Sequence, residues 1–124
     1  SYVEKLVNEG KDVILEIEIQ GALQVKKLYP EALLLFVMPP SADALKERLV
    51  GRGTETPDVI AQRLAISSKE SQSMGGYDYL VINDQIEKSV ENVHAIISCE
   101  HFKTARNSDT IDMIQQDLKK FEGR

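Results

Sequence analysis

The feature that most constrains the fold is the run Ala32-Leu33-Leu34-Leu35-Phe36-Val37-Met38, apolar at every position and stopped by Pro39-Pro40. An apolar stretch of this length, closed by prolines, predicts a strand over 32–38 covered on both faces, the situation of strands in parallel sheets. Parallel neighbours cannot be joined by tight turns, so such a chain must also supply crossover helices. Upstream, Val13, Leu15, Ile17 and Ile19 recur at a period of two, which predicts a further strand over 12–19, and Gly21 through Leu28 predicts a short helix closed by Tyr29-Pro30. Strand, helix and strand in that order predict a right-handed βαβ unit. Tyr77 to Ile82, after the break at Gly75-Gly76, predicts a third strand.

The remaining segments read as helices with recognisable ends. Ser1 with Glu4 resembles a capping pair for a helix that stops at Gly10. Ser41 can cap a helix carrying Leu45 and Leu49, which runs into Gly51-Arg52-Gly53. Thr56 followed by Pro57 starts another, because proline lacks the N–H that a first helical turn leaves unpaired. That helix is apolar early, at Ile60 and Leu64, and polar from Ser67 to Ser73, so its thin apolar stripe predicts a projecting element. Asp84 with Glu87 predicts the start of a long helix with Ile86, Val90, Val93 and Ile97 inward. Ser108 predicts the cap of a last one with Ile111, Ile114, Leu118 and Phe121. Strands alternating with helices define an α/β chain with a mostly parallel sheet.

Composition excludes several function classes. At 124 residues and 42% hydrophobic, the chain suits one domain that withdraws roughly two thirds of its unfolded surface from water. Fifteen basic against twenty acidic residues give a net charge of −5, which argues against broad contact with a nucleic-acid backbone. The lone Cys99, expected to be a small core residue, permits neither an internal disulfide nor a cysteine zinc site, and a reducing, cytoplasmic location is the expectation. No apolar run approaches the ~20 residues of a membrane span.

In parallel α/β sheets, ligands bind beyond the carboxyl ends of the strands. Glu16 and Glu18 lie toward that end of the predicted first strand, Pro39-Pro40-Ser41 follow the second, and Asn83-Asp84 follow the third. Two carboxylates two residues apart share a face of a strand, which suits a hydrogen-bonding ligand or a metal; a wet edge strand would show the same pattern. Arg48, Arg52 and Arg63 surround the glycine-rich break. Their planar donor forks match phosphate oxygens, although Glu47, Glu55 and Asp58 could hold them in solvated ion pairs. Tyr77 and Tyr79 read as packing residues and Lys26-Lys27 as an exposed helix end. His94 and His101, seven apart on the long helix, read as structural or exposed.

Five blocks in order identify a resemblance: Val13-Ile14-Leu15-Glu16-Ile17-Glu18-Ile19-Gln20-Gly21-Ala22; Pro39-Pro40-Ser41; Arg48-Leu49 with Gly51-Arg52-Gly53-Thr54-Glu55; Arg63-Leu64; and Tyr77-Asp78-Tyr79 leading to Val81-Ile82-Asn83-Asp84. Together they resemble the carboxy-terminal part of guanylate kinase, which moves a phosphoryl group from ATP to GMP. The resemblance implies a partial three-layer α/β/α P-loop kinase core over 1–47 and 77–124, with a helical lid over about 48–74. It also implies ATP and GMP as substrates and Mg²⁺ accompanying ATP. Glu16 and Glu18 would sit near GMP, with Glu16 near the Mg²⁺ shell. Arg52 and Arg63 would be lid arginines reaching the ATP phosphates, with Arg48 a further one, and Asn83 would lie near the adenine. The family often has aspartates where Glu16 and Glu18 stand; the longer side chain does the same work from slightly further back.

The chain holds no Gly-x-x-x-x-Gly-Lys-Ser/Thr, the loop that cradles the β-phosphate. It also lacks most of the insertion that would hold the GMP phosphate. The expectation is therefore a fragment without activity of its own. In the family the P-loop strand separates the strands at 12–19 and 32–38, so a slot is expected there that drives self-association. A non-catalytic guanylate-kinase-like module of a scaffold protein is the competing reading, and the intact Arg-Gly-Thr-Glu segment favours the enzyme.

Overall fold

The computed structural model describes residues 2–123, so the predicted Ser1 cap lies outside the described residues. Helix α1 (Tyr2–Asn8) ends at Gly10, whose φ of +83° is the left-handed conformation a glycine terminus accommodates. The Tyr29 hydroxyl donates to Glu4 Oε1, tying α1 to the end of α2 (Ile19–Leu28). That bond holds the Glu4 carboxyl below its ordinary pKa and raises that of Tyr29.

Strand β1 (Leu35–Met38) pairs in parallel with β2 (Tyr79–Ile82), in the register Leu35 to Tyr79 through Met38 to Ile82. Between them come α3 (Ala42–Gly51) and α4 (Pro57–Ser71), which pack on each other and bury Leu49 and Ile60. Both caps form as predicted: Ser41 Oγ accepts from the Ala44 amide at 3.0 Å, and Thr56 Oγ1 from the Val59 amide at 3.4 Å. Helix α5 (Ile86–Glu100) packs on β2, and α6 (Ser108–Leu118) follows a 3₁₀ turn at Thr104–Arg106.

The amino ends of the two strands are locked together. Asp78 accepts from the Leu34 amide at 2.8 Å and pairs with Lys26 Nζ at 3.2 Å, while Lys26 also donates to the Ala32 carbonyl at 2.5 Å. The Leu34 bond, and then Lys26, hold the Asp78 carboxyl below its ordinary value. Phe36 meets Tyr77 edge-on, ring centroids 5.0 Å apart, so Tyr77 is a packing residue.

Several expectations need correction. Segment 11–18 forms no strand, and Ile14, Leu15 and Ile17 stand in solvent, Ile14 at 76% exposure. A strand segment gains from its polar backbone only when a ladder partner is present, and among the described residues β1 pairs only with β2; the predicted βαβ unit over 12–38 is therefore not closed. Strands β1 and β2 are also shorter than predicted. Helix α5 starts after Gln85 rather than on an Asp84 cap, and α6 follows Asn107, whose side chain donates to the carbonyls of His101 and Lys103.

Cys99 is exposed and Lys26 is half-buried, because Asp78 draws Lys26 inward. His101 lies just past α5 and its Nε2 meets Asp12 at 2.9 Å, so it does not share a helix face with His94. Ile86 and Val90 remain exposed beside an apolar groove of about 360 Å³ between α5 and the sheet residues Val37 and Val81.

The buried apolar residues among those described are Ala22, Leu34, Leu49, Ile60 and Val81, joined by one buried acid, Glu100 at 4% exposure. Glu100 pairs with Lys103 at 2.8 Å and Arg106 at 3.6 Å, and it holds the Lys103 ammonium above its ordinary pKa. Accessible surface totals 9988 Å². A compact monomer of this mass exposes about 6,700 Å², so burial falls well short of the two thirds that chain length suggested.

Candidate functional site

The polar residues gather at the carboxyl ends of β1 and β2. Asn83 directly follows β2, and its amide donates to the Met38 carbonyl at 2.7 Å, continuing the ladder by one bond. Its side-chain Oδ1 accepts from Ser89 Oγ at 2.8 Å, which fixes which way the amide group points and leaves its NH₂ donors unspent on that partner.

Arg48 reaches the same corner from the last turns of α3. Its Nη2 donates to the Asn83 carbonyl at 2.6 Å and lies 3.4 Å from the Asp84 carbonyl. A guanidinium can serve two carbonyls because its donors diverge in one plane. Arg48 therefore pins the base of the α3–α4 hairpin to the loop after β2. It does so through backbone oxygens, which sequence reading could not foresee, since they carry no residue signature.

Past α3, Gly53 adopts φ +66°, a conformation that turns the chain and leaves Arg52 exposed at the tip. Thr56 and Pro57 then start α4. Helical side chains lean toward the amino end of their helix, so Arg63, on the second turn, reaches back to the residue before the cap. There its Nη2 meets Glu55 Oε1 at 2.8 Å. Sequence reading counted Glu55 among several solvated counter-charges. Instead its side chain keeps only 14% exposure, against 51% for Arg63, and its second oxygen is buried without a hydrogen-bond partner. Glu47 and Asp58, the other two candidate counter-charges, are exposed and form no ion pair among the described residues.

Glu16 and Glu18 are exposed on the unpaired segment 11–18. Glu18 stands at the amino end of α2, where its carbonyl accepts from the Ala22 amide at 2.9 Å but its carboxylate makes no capping bond. The structure thus joins Arg48 to Asn83 and Arg63 to Glu55. No hydrogen bond or ion pair among the described residues links these pairs to each other or to Glu16 and Glu18. Groups of three or more histidine, cysteine or acidic side chains able to hold a metal are absent among the described residues. None of the described helices is long and apolar enough to cross a membrane.

Parallel strands joined through an arginine-bearing helical hairpin, with polar residues at their carboxyl ends, define part of a P-loop-type α/β kinase fold. The crystal structure of guanylate kinase from Anaplasma phagocytophilum superimposes with a TM-score of 0.69 at 29% identity, over 83% of this chain and 48% of that one. The guanylate kinase family model matches residues 1–100, and the chain belongs to the guanylate kinase family. The guanylate kinase of Bacillus cereus strain ZK / E33L is 54% identical over 105 residues, 85% of this chain and 51% of that protein. That of Oceanobacillus iheyensis is 44% identical over 117 residues, 94% of this chain and 57% of its own length. The chain thus spans about half the length of the curated relatives it matches.

Proposed function

We propose that this chain supplies the lid and the ATP-facing edge of a guanylate kinase, an enzyme that transfers a phosphoryl group from ATP to GMP to give ADP and GDP. The observation that carries the reading is the α3–α4 hairpin, which holds Arg52 and Arg63 with guanidinium surface open to solvent on an element tied to the strand ends through Arg48. In this reading residues 48–74 are the lid, and 1–47 with 77–124 belong to the core. Arg52 and Arg63 neutralise charge on the moving phosphoryl group, where such arginines act most strongly. Arg48 orders the hinge, and Asn83 offers its amide near the adenine.

Glu16 and Glu18 accept hydrogen bonds from the GMP side. Mg²⁺ accompanying ATP would supply charge neutralisation at the phosphates, with Glu16 the side chain near its shell. An ion that keeps several waters needs only one or two protein carboxylates, and the exposed Glu16 and Glu18 fit that modest demand. The location is cytoplasmic, and neither nucleic acid nor membrane is a partner.

Phosphoryl transfer requires both nucleotides in line, and the 124 residues contain no Gly-x-x-x-x-Gly-Lys-Ser/Thr to hold the β-phosphate. The chain alone is therefore inactive in this account. Its large exposed surface, the unpaired outer edge of β1 and the exposed Ile14, Leu15 and Ile17 support self-association through the sheet. Sedimentation across a concentration series is expected to show a dimer or larger species; a monomer throughout would count against it. The function itself is tested by Arg63→Ala in a full-length guanylate kinase that carries this lid. Turnover should fall on the order of a thousandfold, and unchanged turnover removes the lid assignment.

A further inference from the structure

Glu55 and Arg63 are paired in a way that solvated surface bridges are not. In a surface bridge both partners stay wet and contribute little. Here the acid is mostly covered, and the cation keeps half of its surface in solvent. Burying a carboxylate is costly unless its oxygens are satisfied, yet Oε2 has no donor and Arg63 is the one ion-pair partner among the described residues. Moving the Arg63 guanidinium away would leave a mostly covered carboxylate, one oxygen of which is already without a donor, with no ion-pair partner among the described residues, so the guanidinium is held where it is. A single Nη2 contact occupies only part of a five-donor fork, and the rest is free for oxygens of an incoming anion.

The placement is also built by the local chain. Gly53 turns the backbone, and Thr56 with Pro57 fixes where α4 begins. Glu55 therefore sits immediately before the cap, within reach of a side chain leaning back from the second turn. We infer that Glu55 is a positioning residue that orients the Arg63 guanidinium so that its remaining N–H donors meet the phosphate oxygens of a nucleoside triphosphate. The inference rests on the function proposed above for Arg63. Glu55 touches neither nucleotide nor the moving group; it acts through Arg63.

Two readouts test it. In a full-length guanylate kinase carrying this lid, the isosteric Glu55→Gln is expected to lower kcat roughly tenfold to a hundredfold, the scale at which small misplacements act. The KM for GMP should stay within about twofold, since the misplaced group faces the other substrate. The double variant Glu55→Gln with Arg63→Ala should be no slower than Arg63→Ala alone; losses that multiply would overturn the inference, because Glu55 would then act independently of Arg63. If Glu55→Gln does not fold, Glu55→Asp, which keeps the charge and shortens the reach, should show the same kcat loss, and an unaltered kcat would overturn the inference.

The second readout needs no turnover. Nitrogen-15 relaxation of the Arg63 Nε–H in the 124-residue chain should show an ordered side chain that loosens to the level of Arg52 in Glu55→Gln. An Arg63 signal as mobile as that of Arg52 already in the unsubstituted chain, or unaltered by the substitution, would overturn the positioning role. A full-length protein without ATP- and GMP-dependent turnover would instead sink the functional reading, with the relaxation result still deciding the pairing.

Discussion

Two stretches of this chain carry predicted site residues under opposite circumstances. The α3–α4 hairpin holds Arg48, Arg52 and Arg63 on helices that close their own hydrogen bonds and carry their own caps at Ser41 and Thr56. Segment 11–18 holds Glu16 and Glu18 in a pattern suited to a strand, yet it forms no regular element and stays mostly exposed, with no ladder partner. A helix is largely a local decision, whereas a strand is a partnership. The hairpin is therefore assembled to the level of a specific ion pair, whereas the carboxylates of the segment's candidate residues, Glu16 and Glu18, have no hydrogen-bond or ion-pair partner among the described residues.

The sharpest way to break this contrast lies in the one sheet that does form. Asp78→Ala removes the acceptor for the Leu34 amide and the partner of Lys26. It should cost roughly 1–3 kcal/mol in a denaturant titration, because a half-buried N–H is left unpaired. A cost near zero would mean the strand ends are not held by this residue.

The same group predicts the acid response. The folded Asp78 carboxyl lies below its ordinary value of 3.8, so its contribution is fully present above that value and is lost as the pH falls through the lowered one. Acid unfolding should accordingly steepen below about pH 4 in the unsubstituted chain, and this part of the slope should be missing in Asp78→Asn. The smallest effect belongs to the unpaired segment: at a dilution where the chain is monomeric, Ile17→Asn is expected to change its stability by less than about 0.5 kcal/mol, as for a surface position. A larger loss would show that 11–18 is packed after all.

How much was legible in sequence follows the same line. The caps at Ser41 and Thr56 and the glycine stops were readable because each acts within a few residues, and the strand at 32–38 in a parallel sheet was readable because an unbroken apolar run has few other uses. The predicted strand at 12–19 failed because alternation reports what a segment would bury and says nothing about whether a neighbour is present. Lys26 was misjudged because its partner Asp78 lies 52 positions away; the burial of Glu100 carried no sequence signal, because it depends on Lys103 and Arg106 folding back over the acid. At the candidate site, the arginines and Asn83 are singled out by residue type alone. Arg48's contact with backbone carbonyls and the burial of Glu55 could not be read, since both depend on how α3 and α4 sit against their surroundings.

In the function proposed above, these 124 residues carry the lid arginines of a phosphotransfer site and depend on a phosphate-cradling loop supplied by other residues. A coupled assay for ADP and GDP formation tests it most directly, run on the purified chain with ATP, GMP and Mg²⁺, alone and after addition of the complementary half of a guanylate kinase bearing Gly-x-x-x-x-Gly-Lys-Ser/Thr. The account predicts no turnover alone and measurable turnover on complementation. ATP- and GMP-dependent turnover by the purified chain alone would contradict it.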